Sequence, residues 1–219
     1  MKVYTSSYPA VEVANESIFT FLFQTVYSTY PPERKAFVDG LTGLSVTRQQ
    51  LKELCLSFAY GIREHFPKLG GLPLRRGDSI LIFSPNSLSW PIMLFGSIAA
   101  GLLPTLANSL YTAREVAFQW NDSGAKVMLV HPLMLNVALE AFKTLGFSDT
   151  EARQRIILAD YGYVKRDGLL GKFAHLDDLL HAGAWHDEEK FAGESSYQTA
   201  LLCYSSGTTG KPKGVEVRV

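Results

Sequence analysis

Cysteine is nearly absent from this 219-residue sequence: Cys55 and Cys203 are the only two, far apart, each inside an apolar segment. Two isolated thiols build neither a disulfide framework nor a zinc site, and they read as reduced, buried side chains in a cytosolic-type compartment. Net charge is absent as well, with 21 Lys plus Arg against 21 Asp plus Glu. The overall balance therefore gives no pull toward nucleic acid or an anionic membrane surface. The five histidines, His65, His131, His175, His181 and His186, keep no metal-ligand spacing and read as structural or surface positions, so no metal-ligating residue is expected. Internal repeats and low-complexity tracts are missing. Residues 1–13 hold one lysine and no sustained apolar core, which does not fit a secretory signal.

The longest absence is of charge. Residues 79–113 contain no Asp, Glu, Lys, Arg or His. A membrane-spanning helix needs roughly 20 mostly apolar residues, and Pro85, Asn86, Pro91, Gly96, Gly101, Pro104 and Asn108 break this stretch before any such run is complete. A buried strand, a buried helix and a second buried strand account for it, and no transmembrane segment is expected.

What is present reads as alternating strands and helices, in a chain whose 47% hydrophobic content supports a packed core. Ile18, Phe21, Leu22, Val26 and Thr29 recur at helical spacing over 17–30, capped by Ser17, and predict a peripheral helix. Two short β-type runs around glycine-containing turns follow over 36–46 and predict a hairpin. Thr47-Arg-Gln-Gln is a capping box opening a helix with Leu51, Leu54, Cys55, Phe58 and Ile62 on one stripe. After a Gly, Pro and Arg turn over 70–77, strands are predicted at 79–84, 102–107, 126–130 and 155–158. Helices are predicted from about 86–90 to Gly101, from the Thr112-Ala-Arg-Glu capping box to Asp122, over 134–145, and over 175–181. Residues 187–196 read as polar and exposed. Alternation of this kind implies right-handed crossovers and an α/β fold with a mainly parallel sheet flanked by helices.

The chemistry concentrates at 204–215, Tyr204-Ser-Ser-Gly-Thr-Thr-Gly-Lys-Pro-Lys-Gly-Val, which gathers four Ser/Thr hydroxyls, three glycines and two lysines in twelve residues. Gly207, Gly210 and Gly214 permit positive φ and close backbone approach, so that N–H groups can converge on an anion. Ser205, Ser206, Thr208 and Thr209 add hydroxyl donors. Lys211 and Lys213 bring point charges suited to a polyphosphate, and Pro212 stiffens the link between them. Upstream, the uncharged run 199–203 predicts a buried strand, so the loop leaves a strand's carboxyl end, where open α/β sheets place their ligands. The Walker A pattern is not met, because Lys211 is followed by proline. A P-loop NTPase is thereby disfavoured, and a serine-glycine surface linker would not place Pro-Lys-Gly at this spacing.

The run Ser-Ser-Gly-Thr-Thr-Gly-x-Pro-Lys-Gly closely resembles the signature of the adenylate-forming superfamily. Ala36-Phe-Val-Asp-Gly, Ser84-Pro-Asn-Ser, Asn108-Ser-Leu-Tyr-Thr-Ala-Arg-Glu and Asp122-Ser-Gly-Ala-Lys resemble segments of its acyl/aryl-CoA ligase branch, most like 4-coumarate-CoA ligase-type enzymes. The resemblance spans nearly the whole chain and implies a carboxylic acid, ATP with Mg²⁺ and coenzyme A as reactants, in a cytoplasmic or peroxisomal setting. Carried over residue by residue, Ser205, Ser206, Gly207, Thr208, Thr209 and Lys213 match ATP-contacting positions, with Lys213 as the candidate catalytic residue, and Gly210 and Gly214 match backbone-shaping ones. Lys211 falls where the family varies.

The family continues with a Ser/Thr-His pair, whereas Glu216-Val-Arg-Val stands here. No adenylate-binding, ribose-binding or lid-lysine motif is found. The resemblance therefore implies that 1–219 is the amino-terminal part of an adenylation domain ending just after the phosphate loop, without the lid domain and inactive alone, with an apolar face exposed. The divergence at Arg218 carries the expectation that the chain ends with a gene model or a cloned segment. A non-catalytic binding or regulatory protein derived from such a ligase is the alternative reading.

Overall fold

The computed structural model describes residues 5–9, 16–25, 29–162, 166–190, 198–205 and 212–218. Strands β1 (Lys35–Val38) and β2 (Ser45–Thr47) pair antiparallel as a separate hairpin. Its turn is held by the Asp39 carboxylate, which accepts from the Leu41 and Thr42 amides at 3.0 and 2.7 Å. Helix α2 (Arg48–Tyr60) starts at the expected capping box, with Thr47 accepting from the Gln50 amide and Gln50 answering the Thr47 amide.

The main sheet contains β3 (Ser79–Phe83), β4 (Leu103–Ala107), β5 (Val127–Val130), β6 (Ile156–Leu158), β7 (Ala174–His175), β8 (Thr199–Ser205) and β9 (Lys213–Arg218). Their order is β7-β6-β5-β3-β4-β8-β9, with every pair parallel except β8 with β9. The mainly parallel α/β sheet read from the sequence is thus present. Strand side chains point alternately to two faces, and each face has its own core. Ile80, Ile82, Val127, Leu129 and Ile157 pack with α2 and with α3 (Ser89–Ala99). Leu81, Phe83, Met128, Val130, Ile156 and Leu158 pack with α4 (Ala113–Ser123) and α5 (Leu135–Thr144). This double coverage explains the charge-free stretch: every residue of β3 is buried, and most of α3 is too. Among the described residues no helix is long and apolar enough to cross a membrane.

Four expectations need correction. The first helix, α1 (Ile18–Thr20), and the π-turn Phe21–Thr25 bury Phe19 and Phe23 most deeply, while Ile18 and Leu22 of the predicted stripe pack partly buried against the same core, and Phe23 meets Phe95 edge-on at 6.0 Å. A short helix, α6 (Asp149–Arg153), went unread although Ser148 and Glu151 form a capping box. Residues 174–175 add β7 before α7 (Leu176–Leu180), where a single helix was predicted.

The fourth concerns 187–196, of which 187–190 are described and are not a solvated tail. Glu188 is buried and accepts from the hydroxyls of Ser17 and Thr20, while Glu189 bridges Arg63 at 2.6 Å and Arg76 at 3.5 Å. A polar sequence reads as exposed because pattern alone cannot show that its charges already have partners.

Candidate functional site

Strand β8 runs parallel to β4, so its carboxyl end lies with those of β3 and β4. The chain returns antiparallel as β9, with the predicted loop residues falling between the two strands in sequence. Ser206, Gly207, Thr208, Thr209, Gly210 and Lys211 lie outside the described residues. Ser205 and Lys213 are cross-strand partners at the base of the turn. Both are exposed and project from the same face, because directly opposed residues do. The hairpin thus brings the last predicted hydroxyl before the loop and the first lysine after it together.

Several details differ from the sequence reading. Lys213 is the first residue of β9, not part of a turn. Gly214 is also in this strand, and its φ is not positive. Its lack of a side chain serves space instead: a Cβ there would sit 3.3 Å from Cζ and Oη of Tyr204, its register partner. Strand β8 is only partly covered, with Ala200 its one buried residue. Cys203, expected to be buried, is exposed, whereas Cys55 is buried as expected. Cys203 shares a face with Val215 and Val217, which are 49% and 37% exposed; no described helix covers that side.

The opposite face of the hairpin carries a residue to which the sequence reading gave no role. Tyr204 reaches α4, where its hydroxyl donates to Oδ2 of Asp122 at 2.6 Å. Burial, and then the carboxylate beside it, hold the phenol's pKa well above its usual range. Tyr204 also lines a cavity of about 590 Å³ with Ser84, Asn86, Trp90, Asn108 and Tyr111. This crevice opens between the ends of β3 and β4, whose following helices go to opposite faces. That divergence is the switch point at which open α/β sheets bind ligands. No charged side chain is among the described residues that line the cavity, and Lys213 lies on the face of the hairpin opposite Tyr204. The signal for these residues was in the sequence, since the segments beginning at Ser84, Asn108 and Asp122 stood out, but nothing linear showed that they converge.

His131 and Asp160 sit at the ends of β5 and β6. Burial lowers the pKa of His131 and raises that of Asp160, each partly opposed by the other's charge. A more apolar cavity of about 400 Å³ beside the β1–β2 hairpin, lined by Leu22, Phe23, Phe37 and Phe95 among others, contains none of the predicted site residues. Among the described residues no group of three or more His, Cys, Asp or Glu side chains is placed to hold a metal.

The family described as AMP-binding enzyme matches residues 23–219. A long-chain-fatty-acid–CoA ligase of Escherichia coli O6:H1 is 29% identical over 239 residues, covering 97% of this chain and 39% of the relative. A 4-coumarate–CoA ligase 3 of Arabidopsis thaliana is 26% identical, covering 98% of this chain and 34% of the relative. The chain thus spans less than half the length of these curated relatives, and fatty-acyl and aryl ligases match it about equally. Among solved structures, the red-emitting luciferase of Phrixothrix hirtus shares the fold with a TM-score of 0.75 at 23% identity, over 98% of this chain and 48% of its own. With the family match extending over most of the sequence and through the β8–β9 hairpin, this chain belongs to the AMP-binding enzyme family.

Proposed function

We propose that the chain supplies the phosphate-holding segment of an ATP-dependent carboxylic acid–CoA ligase. The observation that carries the reading is the β8–β9 hairpin, which sets Ser205 beside Lys213 at the base of a loop rich in donors, next to the crevice at the sheet's switch point. In the reaction, a carboxylate oxygen attacks the α-phosphorus of ATP, the bond to the β-phosphate oxygen breaks and pyrophosphate leaves with the electron pair. The sulfur of coenzyme A then attacks the acyl carbon and AMP leaves. Negative charge grows on the phosphate oxygens in the first step, and preorganised donors lower its barrier. Lys213 would supply the cation there. Ser205, Ser206, Thr208 and Thr209 would supply hydroxyls, while Gly207 and Gly210 would let backbone N–H groups approach. Gly214 keeps room for Tyr204.

Magnesium would be held mainly by the ATP phosphates, which need no cluster of protein carboxylates, and would neutralise charge on the phosphate oxygens. The segment 1–219 is read as the amino-terminal part of the adenylation domain. By itself this segment would offer phosphate contacts, and the chain alone is expected to release no pyrophosphate above background with fatty or aromatic acids. The binding test is calorimetric titration of the 219-residue chain with MgATP. Lys213→Ala is expected to weaken binding about tenfold and Lys211→Ala much less. Equal losses from the two substitutions would overturn the assignment of Lys213.

A further inference from the structure

We infer that Tyr204 and Asp122 form a positioning pair that fixes the base of the phosphate loop against α4, so that Asp122 governs phosphate binding without touching the ligand. The inference rests on reading 204–215 as the ATP-holding segment. Its own evidence is how the hairpin is attached. Strand β4 is in register with β3 over five residue pairs, but β4 and β8 share one, Thr105 with Leu202. Beyond Leu202, toward the loop, β8 has β9 as its registered neighbour. Strand β4 stays alongside β8, but a single registered pair is a weak anchor for a hairpin that is marginally stable alone in water, and a side-chain tie at the loop end adds to it.

Apart from Thr199, whose hydroxyl donates to Glu216 across the hairpin at 3.0 Å, the Tyr204–Asp122 bond is the side-chain hydrogen bond among the described residues that joins 201–205 or 213–218 to the body of the chain. At the hairpin's other end, Arg76 Nε donates to Gln198 at 3.1 Å. The 2.6 Å separation is the length of a hydroxyl donating to a carboxylate, about twice as strong as a neutral pair. The ring also lies across both strands, because it occupies the space a side chain at 214 would need. Asp122 is placed where its charge is otherwise unfavourable, in the last turn of α4, near the negative end of the helix dipole. Tyr204 gives that carboxylate a partner, and Ser205 follows directly.

The test uses the full 219-residue chain and three substitutions. Tyr204→Phe keeps the ring and removes the donor, Asp122→Ala removes the acceptor, and Asp122→Asn keeps an acceptor oxygen. MgATP affinity is measured by calorimetry well below each variant's melting temperature. Tyr204→Phe and Asp122→Ala are expected to weaken binding about five- to tenfold, as one hydrogen bond to a charged group allows. The double variant should lose no more than either single one, and Asp122→Asn should recover most of the affinity. Equal affinity in wild type and all variants would overturn the pair while leaving the phosphate reading intact.

Amide hydrogen exchange of the peptide covering 198–218, without ATP, reads the pair independently. Exchange should quicken in Tyr204→Phe and Asp122→Ala but not in Asp122→Asn. Unchanged exchange would overturn the proposal. A wild-type chain that binds no MgATP, yet shows this exchange pattern, would reject the phosphate reading and with it the ligand-binding half of the inference.

Discussion

Glu188 offers a pH-dependent test of how the N-terminal segment is fastened. Its side chain is 1% exposed. One carboxylate oxygen accepts from the Ser17 and Thr20 hydroxyls, the other has no hydrogen-bond partner, and Lys190 Nζ stands 4.0 Å away. Burial raises its pKa from the ordinary 4.5 against the lowering effect of both hydroxyls and Lys190. A carboxyl whose folded pKa is raised stabilises the fold fully below its unfolded pKa, and that contribution is lost as pH rises through the folded value.

Replacing Glu188 by Gln keeps one oxygen as acceptor and removes the ionisation. The variant should match wild type near pH 4, then gain on it by up to about 1.4 kcal/mol per pH unit until the folded pKa is passed, after which the difference is constant. Glu188→Ala removes the acceptor for two hydroxyls and should cost about 1–3 kcal/mol at pH 4. Urea unfolding at half-unit steps from pH 4 to 8 gives both curves. Parallel stability curves for wild type and Glu188→Gln would refute the reasoning, because the subtraction cancels every other titrating group.

Gly61 closes α2 against α7, and a Cβ there would lie 2.4 Å from the backbone oxygen of Leu179. Gly61→Ala should therefore lower the unfolding free energy by about 1–2 kcal/mol despite alanine's better helix propensity, because backbone cannot swing aside; an unchanged urea midpoint would contradict this. The thiols should separate kinetically. Exposed Cys203 should react with a disulfide reagent in native buffer, and Cys55, whose burial pushes its pKa far above the thiol range, only after unfolding. Two equivalents reacting at one rate in native buffer would count against the packing of α2.

Local chemistry made much of the fold legible. Capping boxes at Thr47 and Thr112 fixed helix starts because a side-chain oxygen and a residue three positions on must satisfy orphan amides whatever the surroundings. The charge-free stretch gave β3, α3 and β4, since a segment buried on all sides cannot carry unpaired charge. The hydroxyls, glycines and lysines of 204–215 likewise marked a candidate phosphate-holding segment, and the resemblance of that run to the adenylate-forming signature pointed to the family that the family match then showed.

Long-range partnership decided the rest. Whether Glu188 is exposed depends on Ser17 and Thr20, which are far from it in the chain but beside it in space. Gly214 read as a flexible turn residue, and only its pairing with Tyr204 reveals that it makes room for a ring. Cys203 read as buried because it sits in an apolar run, but a strand is buried only when other elements cover both its faces, and the face of β8 that carries Cys203 has no described helix over it. The joining of Asp122 to the loop end is set by a hydrogen bond across 82 positions, which no spacing rule in the sequence encodes.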